Sequence, residues 1–344
     1  MPRKKPQSKP ATPTRTPPPT PLERAFKDLR HPAEPPPTVS ARWLLSAAAI
    51  TVLAAALCGW GVLCFLFAQG SWQLLYHPAS SITRTPAAVN LAFDPIAFAP
   101  TASGLPRLAG WWIPAPHDAR YAHFTVLYLH GQDGNLSNAV DDFAFFHSIG
   151  LNVFAFDYRG YGQSQFQHPS EALLLEDAGL ALTYLTQTRH LPSGAIIVAG
   201  KSLGANLALE FAAAHPELAG TILDEPLNAP MSTVFNDPRS ALVPARLLVR
   251  DRYNADAAAS ALRVPALWFK VPTLFIQLMP APAMSQSATS PAATPQAYSR
   301  ITARKTIVSP ATHDGTPHDP VLAAQRSAAL TRWLDDLSVN PARP

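Results

Sequence analysis

The stretch VAGKSLGANLALEFAAAHP, from Val198 to Pro216, decides the predicted fold of this chain. An apolar segment typical of a buried strand ends at a glycine. One serine follows, and a second glycine opens an apolar helical pattern that stops at the proline. The five residues GKSLG (Gly200–Gly204) fit the G-x-S-x-G pattern, a sharp strand-to-helix turn that presents a nucleophilic serine. Ser202 is therefore the candidate nucleophile. The alternative is an ordinary strand–helix turn in which Ser202 only caps the helix.

Strand-like and helix-like segments alternate through most of the chain after residue 90. The strand-like runs are short, rich in β-branched and aromatic residues, and apolar on both faces, as in a buried parallel sheet. These runs are Phe124–His130, Asn152–Tyr158, Ala195–Lys201 and Gly220–Pro226. The helical patterns are Ser170–Arg189, Gly204–Pro216 and Pro320–Leu337, and the leading pair Leu91–Ala99 and Leu108–Ala115 is typical of an antiparallel hairpin. Such alternation predicts an α/β fold with a mostly parallel central sheet and helices on both faces.

The N-terminal tail, residues 1–42, is rich in proline, lysine and arginine and has few large apolar side chains. Such a segment cannot bury enough apolar surface to offset the entropy of ordering it, so we expect disorder. The tail contains nine basic and three acidic residues, whereas acidic residues outnumber basic ones in the rest of the chain. The net charge of +4 therefore describes the tail, and we expect no nucleic-acid partner.

An uncharged apolar run of 26 residues follows, from Trp43 to Ala68. As a helix it would be about 39 Å long, enough to cross the ~30 Å hydrocarbon core of a bilayer. The basic tail before it predicts a single-pass anchor in the cytoplasmic (inner) membrane, with the N-terminus inside and the following domain exported. The alternative is a cleaved signal peptide that ends at the sequence AQG, Ala68–Gly70.

The predicted organisation has four parts along the chain. They are the tail over 1–42, a transmembrane helix over 43–69, a linker over 70–90 and an α/β domain over 91–338. Both cysteines, Cys58 and Cys64, fall in the apolar run, so we expect neither a disulfide nor a cysteine-ligated metal site in the exported domain.

A nucleophilic serine needs N–H donors for the negative oxygen that develops on its substrate. The backbone N–H of Leu203, directly after the serine, is the first candidate. The segment LYLHGQDGNLSN (Leu127–Asn138) supplies the second, because its glycines let the backbone turn inward after a strand. We assign this role to the N–H of Gln132, and we expect His130, near the end of that strand, to be structural.

Four segments, YLHGQDGN, FDYRGYGQSQF, GKSLG and SPATHDGT, occur in the order and spacing of the α/β-hydrolase superfamily. From Trp72 to Leu337 the chain most resembles the membrane-anchored Bem46/ABHD13-like branch of that superfamily. The resemblance implies a serine hydrolase of esters or thioesters that acts without a metal or organic cofactor. It also implies a catalytic histidine in the loop before the last helix. His313, followed by Asp314, fits that position, and His318 is the alternative.

The sequence departs from this family at the acid of the triad. The family places an aspartate in a Gly-x-x-Asp turn after the strand that here reads VPTLFIQ (Val271–Gln277), but no Asp or Glu occurs from Ala257 to His313. Residues 277–299 are instead rich in Pro, Ala, Ser and Thr, which predicts a flexible loop. Asp224 is the best substitute, because it ends the strand after the helix of the nucleophile, and catalytic groups collect at carboxyl ends of strands. The alternative is that Asp224 or Glu225 only caps a turn.

Two functions are open on the sequence alone. The first is a membrane-anchored serine esterase or thioesterase that acts on a small acyl ester or thioester, lipid esters included. The second is a catalytically impaired hydrolase that serves as a membrane-tethered binding or scaffold protein. The missing acid favours the second function, while the serine turn, the donor loop and the histidine favour the first.

The segment between Leu227 and Arg263 is mixed apolar and basic, and it predicts a partial cap over the site. Its large apolar residues either line an acyl pocket or pack as core, and we expect core packing. These residues are Met231, Val234, Phe235, Leu247 and Leu248.

Overall fold

A computed structural model describes residues 20–28, 39–269, 296–308 and 320–339 of the chain. Its strands are β1 His77–Pro78, β2 Asp94–Pro100, β3 Pro106–Ile113, β4 Thr125–Leu129, β5 Asp133–Gly134, β6 Asn152–Asp157, β7 Ile196–Lys201, β8 Gly220–Asp224, β9 Ala266–Phe269 and β10 Lys305–Val308. Its α-helices are α1 Pro21–Asp28, α2 Ala41–Gly70, α3 Val140–Ile149, α4 Glu171–Thr183, α5 Leu203–Ala214, α6 Ser232–Phe235, α7 Ala245–Leu248, α8 Ala255–Ala261, α9 Gln296–Arg300 and α10 Pro320–Val339. Short 3-10 helices lie at Ser71–Leu74, Pro86–Val89, Leu136–Ala139, Ser193–Ala195 and Pro238–Leu242.

Eight strands form one sheet in the order β10-β9-β8-β7-β4-β6-β3-β2. The pairs β2–β3 and β3–β6 are antiparallel, and the other neighbouring pairs are parallel. Parallel neighbours need a crossover between successive strands, which α3, α4 and α5 supply. The predicted mostly parallel sheet and its leading hairpin are confirmed.

Helices cover both faces of the sheet. Successive side chains of a strand point to opposite sides, so each buried strand packs against both layers of helices. In β8, Leu223 packs in the apolar cluster that includes α4, α5 and α8, whereas Ile222 packs in the cluster that includes α3 and α10. The central strand β4 is buried at every position. This two-sided burial explains why the strands are continuous apolar runs rather than alternating ones.

Helix α2 is a single 30-residue helix whose large apolar side chains are mostly exposed. It contains the predicted span Trp43–Ala68 and is about 45 Å long at ~1.5 Å per residue. Within the described ranges it is the one helix that is long and apolar enough to cross a membrane. The chain divides between Gly59 and Trp60 into two compact units, so α2 contributes residues to both.

The tail differs from the predicted disorder at residues 21–28, which form α1. The Thr20 N–H donates to the Glu23 carboxylate at 2.9 Å, and the Glu23 N–H donates to Thr20 Oγ1 at 3.3 Å. This reciprocal capping box satisfies N–H groups at the start of the helix, and the composition of the tail did not reveal it. Residues 1–19 and 29–38 lie outside the described residues.

Residues 70–90, predicted as a linker, pack on the domain instead. Leu75 and Tyr76 are buried in the apolar core, and His77–Pro78 pairs in parallel with Asp133–Gly134. The Tyr76 hydroxyl donates to Asp251 Oδ2 at 2.6 Å. These partners are distant in sequence, so local patterning could not predict the packing.

The strand that pairs with β8 is Ala266–Phe269, which precedes the expected Val271–Gln277. The chain offers two similar strand-like segments, VPALWF and VPTLFI, and tertiary pairing selected the first. Residues 270–295, with most of the predicted loop 277–299, lie outside the described residues. The last part of that predicted loop is helical, because α9 begins at Gln296.

Candidate active site

Ser202 occupies the turn between β7 and α5, at the carboxyl edge of the parallel strands. Its backbone has φ 54° and ψ −123°, a conformation that residues with side chains rarely adopt and that costs of order 1–3 kcal/mol. The Ser202 N–H donates to the Asp224 carbonyl at 2.9 Å. The Ser202 side chain makes no capping hydrogen bond in the described structure, so helix capping does not explain the strained turn.

The two glycines of the turn are required by close packing. A Cβ atom at Gly200 would collide with the Gly204 carbonyl. A Cβ atom at Gly204 would collide with the carbonyls of Leu129 and His130, at the end of β4. The start of α5 therefore lies directly against the backbone that enters the predicted donor loop.

The Ser202 hydroxyl donates a hydrogen bond to Gln132 Oε1 at 3.2 Å. This contact brings together the predicted nucleophile and the residue whose N–H was assigned to the oxyanion. Leu203, the other predicted donor, is the first residue of α5, where backbone N–H groups lack acceptors within the helix. No histidine in the described part of the chain contacts the Ser202 hydroxyl.

The peptide group that carries the Gln132 N–H is oriented by His130. The buried His130 ring donates from Nδ1 to the Gly131 carbonyl at 2.8 Å. Because a trans peptide directs its C=O and N–H to opposite sides, this bond fixes the direction of the Gln132 N–H as well. Burial lowers the pKa of His130 to about 4, so the ring is neutral at pH 7. This contact with the Gly131 carbonyl supports the predicted structural role of His130.

The next peptide in the donor loop is also fixed. The Gln132 carbonyl accepts the His77 N–H at 2.9 Å and the Tyr161 hydroxyl at 3.0 Å. His77 belongs to the short strand that follows α2, and Tyr161 follows β6. Two distant segments, together with His130 at the start of the loop, therefore position the donor loop beside Ser202.

Asp224 ends β8, opposite Lys201 of β7, and its buried carboxylate forms an ion pair with Arg326 of α10. Oδ2 contacts the guanidinium group. Oδ1 is buried and has no hydrogen-bond partner among the described residues. A buried carboxylate oxygen without a donor carries a desolvation cost, so Oδ1 is an open acceptor near the serine turn. The Asp224 side chain makes no turn-capping bond in the described structure.

A second group of ionisable side chains lies beside this ion pair. The Tyr128 hydroxyl donates to Asp142 Oδ2 at 2.7 Å, and Lys201 Nζ lies 3.6 Å from Asp142 Oδ1. Burial raises the pKa of Asp142, and the Lys201 charge opposes that shift. Burial and the neighbouring Asp224 charge raise the pKa of Glu225 to about 7. Ionisable side chains therefore concentrate around the carboxyl ends of β7 and β8.

The predicted histidines His313 and His318, together with Asp314, lie outside the described residues. The loop that contains them leaves β10 after Val308, two strands from β8, and enters α10 at Pro320. Arg326, in the second turn of α10, contacts Asp224. The second turn of α10, which follows the loop with the two histidines, therefore contacts Asp224.

The predicted cap contains α6, α7 and α8. Met231 and Val234 are buried, as expected for core residues, but Leu247 is exposed, so its expected core packing is wrong. The reason is that α7 is one short helix, and only part of its circumference faces the domain. A cavity of about 440 Å³ lies between this cap and the residues that follow α2, and Trp72 and His168 also line it.

The fold of the chain resembles that of a solved esterase. The Pyrococcus furiosus esterase Pf2001 aligns with a TM-score of 0.51 at 18% identity, over 76% of this chain and 97% of that protein. Together with the sheet order and the strained serine turn, this similarity decides the fold. The chain has the α/β-hydrolase fold.

Sequence comparisons agree with the α/β-hydrolase fold. The family described as serine aminopeptidase, S33, matches residues 121–251. An uncharacterized protein of Mycobacterium tuberculosis strain H37Rv is 29% identical over 207 residues, or 60% of this chain and 70% of that protein. The Caenorhabditis elegans alpha/beta hydrolase domain-containing protein aho-3 is 31% identical over 159 residues, or 45% of this chain and 42% of that protein. The resemblance to one membrane-anchored branch remains a prediction.

Some residues of this α/β-hydrolase site carried no sequence signal. Arg326 lies in an amphipathic last helix, and nothing in its local pattern distinguishes it from a surface arginine. His77 lies in the segment that was predicted to be a linker. Tyr161 could have been noticed, because it falls in the segment FDYRGYGQSQF that carried the family resemblance. In the described ranges, no cluster of three or more His, Cys, Asp or Glu residues could hold a metal ion.

Replacement of Gly204 by alanine should destabilise the domain, because the added Cβ collides with the backbone at the end of β4. Overpacking of this kind typically costs about 1–3 kcal/mol. Gly179→Ala is the matched control, since a Cβ at that position in α4 has no atom within 4 Å, and alanine is favoured over glycine in a helix by roughly 0.5–1 kcal/mol. Thermal unfolding in detergent micelles should place Gly204→Ala below the wild type and Gly179→Ala at or above it. Equal melting temperatures for Gly204→Ala and the wild type would contradict the packing argument.

Proposed function

We propose that this protein is a membrane-anchored serine hydrolase that cleaves a carboxylic ester or thioester through an acyl-enzyme. The strained conformation of Ser202 is the observation that carries the proposal, because backbone strain concentrates where function requires it. A further support is the position of Ser202 beside a donor loop that two other segments, those of His77 and Tyr161, hold in place.

In the proposed reaction Ser202 Oγ attacks the carbonyl carbon of the substrate, and its proton passes to His313. The negative oxygen that forms is stabilised by the N–H groups of Gln132 and Leu203. The histidine then protonates the departing alcohol or thiol as the carbon–oxygen or carbon–sulfur bond breaks. Water, activated by the same histidine, releases the acid and restores Ser202. His318 is the alternative base.

We assign the acid of the triad to Asp224. Its free oxygen Oδ1 lies at the carboxyl edge of the sheet and needs a donor, which the histidine N–H would supply. Arg326 neutralises part of the charge of this buried carboxylate and fixes its orientation. The absence of Asp and Glu from Ala257 to His313 leaves no acid in the usual position after β9.

The anchor in this proposal is α2, with the N-terminus in the cytoplasm and the α/β domain exported. Its length and its exposed apolar side chains support a span, and the basic tail supports the orientation. The substrate is then a small acyl ester or thioester, lipid esters included. A catalytically impaired, membrane-tethered binding protein is the second candidate, favoured by the missing acid after β9.

A fluorophosphonate probe should label the wild type on Ser202, because the probe detects nucleophilic serines independently of the substrate. Ser202→Ala and His313→Ala should each abolish labelling and the hydrolysis of a short p-nitrophenyl ester, since triad members act as a unit. An aminoacyl p-nitroanilide in parallel reports peptidase activity. A folded wild type that neither reacts with the probe nor hydrolyses either compound supports the binding protein instead.

Asp224→Asn should lower kcat by about 10²–10⁴-fold, the loss found when a triad carboxylate no longer orients its histidine. Asp142→Asn is the matched control, because Asp142 belongs to the neighbouring charged group and contacts Tyr128 and Lys201. Asp142→Asn should lower the melting temperature of the domain, while kcat, calculated for the folded fraction of the enzyme, should change little. Similar small effects from both substitutions would place the acid elsewhere or indicate that none operates.

The orientation is tested with fusions at the C-terminus in a bacterial host. An alkaline phosphatase fusion should be active, because that enzyme folds only after export, and a green fluorescent protein fusion exported in unfolded form should stay dark. The reverse pattern would place the α/β domain in the cytoplasm. A mature chain that begins near Ser71 would identify a cleaved signal peptide.

A further inference from the structure

Several large apolar side chains of the domain are strongly exposed, and Phe166, Leu242 and Leu247 are three of them. The exposed fraction is 80% for Phe166, 60% for Leu242 and 83% for Leu247. Isolated exposed apolar residues are ordinary on protein surfaces, so exposure alone carries no argument. What distinguishes these three is that the segments carrying them contact the C-terminal part of α2 or the residues directly after it.

Leu242 is attached to α2 by a hydrogen bond. The indole Nε1–H of Trp60 donates to the Leu242 carbonyl at 3.1 Å. Trp60 lies inside the apolar run that we propose as the membrane span, eight residues before its end at Ala68. Leu242 therefore lies at the level of Trp60, about 12 Å inside the end of the proposed span.

The chain after Leu242 stays beside the helix. Leu248–Arg250 lines a cavity together with Ala68, and Ala68 is about 12 Å further along α2 than Trp60. Leu247 lies between these two points of contact. This part of the cap therefore follows the last turns of α2, and it exposes Leu247 at a level within or next to the proposed span.

Phe166 is linked to the same region through ring contacts. The His168 ring stacks on Trp72, just after α2, at 4.8 Å between centroids. Phe166 lies edge-on to His168 at 5.7 Å. The loop before α4 thus presents an exposed aromatic ring near the end of the proposed span.

The charges of the cap suit an anionic lipid surface. Arg246 and Arg250 are exposed, and neither forms an ion pair with a carboxylate in the described part of the chain. The nearby Asp251 is already occupied by the Tyr76 hydroxyl and the Glu171 N–H. Guanidinium groups bind phosphates well, and long arginine stems place the charge at headgroup level while apolar neighbours insert.

We propose that Phe166, Leu242, Leu247, Arg246 and Arg250 form a membrane-docking surface, and that its partner is the bilayer crossed by α2. The three apolar side chains insert among the acyl chains, and the two arginines bind lipid phosphates. This inference rests on the proposed membrane anchor, because the depth of Leu242 is set by Trp60. Docking adds a second attachment to the single helix, and two signals bind a domain to a membrane more firmly than one.

Docking also brings the serine site to the lipid. Trp72 is five residues before His77, whose N–H holds the donor loop, and Phe166 follows β6 at the same sheet edge as Ser202. We therefore expect the substrate to be an ester whose acyl chain lies in the adjoining leaflet.

The test uses the full chain in vesicles of phosphatidylethanolamine and anionic phosphatidylglycerol, in a Cys58→Ala, Cys64→Ala background. Three variants each carry one new cysteine, Leu247→Cys, His117→Cys or Ile50→Cys. The cysteine of each variant is labelled with an environment-sensitive fluorophore. Lipids with a nitroxide in the acyl chain then quench any label that reaches the hydrocarbon. His117 is the solvent control, since its loop precedes β4 at the amino edge of the sheet and its side chain is 93% exposed. Ile50 is the control for the span.

If the surface docks on the bilayer, the labels at positions 247 and 50 should lose fluorescence and the label at position 117 should keep it. Quenching at Ile50 with none at Leu247 overturns the docking surface and leaves the anchor intact. Quenching at neither position, with the protein extracted by alkaline carbonate, overturns the anchor and the surface that depends on it. Efficient oxidation of unlabelled Leu247→Cys chains to a disulfide dimer would instead assign the surface to a second copy of the chain.

Discussion

The contact between Gly204 and the carbonyls of Leu129 and His130 is the constraint on which the serine site depends. It brings the first turn of α5 against the end of β4, closer than any side chain would allow. The strained φ of Ser202 and the direction of the donor loop both follow, since the turn must reverse sharply to reach that contact. A parallel sheet with β4 next to β7 supplies the frame, because it aligns the carboxyl ends of the two strands.

The donor loop shows how buried polar groups set the geometry of neighbouring peptides. A neutral His130 holds the Gly131 carbonyl, while His77 and Tyr161 hold the carbonyl of Gln132. Each bond satisfies a group that would be costly to bury unpaired, and each also directs a peptide plane. The segment after α2 is thereby joined to the serine site, so the proposed anchor and the proposed chemistry share one set of hydrogen bonds.

The carboxyl ends of β7 and β8 concentrate charge in a way that the usual triad does not require. Asp224 is paired with Arg326, whose guanidinium lies 4.7 Å from the centre of the Phe269 ring. Such an arrangement stabilises a carboxylate in a buried place while leaving one of its oxygens unpaired. In the proposed triad, this arrangement lets Asp224 orient the histidine without an acid after β9. The ion pair also joins α10 to the same edge of the sheet.

Several features could be predicted from local sequence, because each depends on residues that are neighbours in the chain. They are the alternation of strands and helices, the serine turn, the glycines of the donor loop and the apolar span. The spacing of residues did not distinguish VPALWF from VPTLFI as the sequence of β9. It also did not predict that Leu75 and Tyr76 are buried, and it wrongly predicted Leu247 to be a core residue. Pairing across the sheet and packing between distant segments decided these points. The partnership of Asp224 with Arg326, and that of Trp60 with Leu242, joins residues more than a hundred positions apart in the chain. Such contacts could not be predicted from local sequence, since they depend on which surfaces the folded sheet brings together.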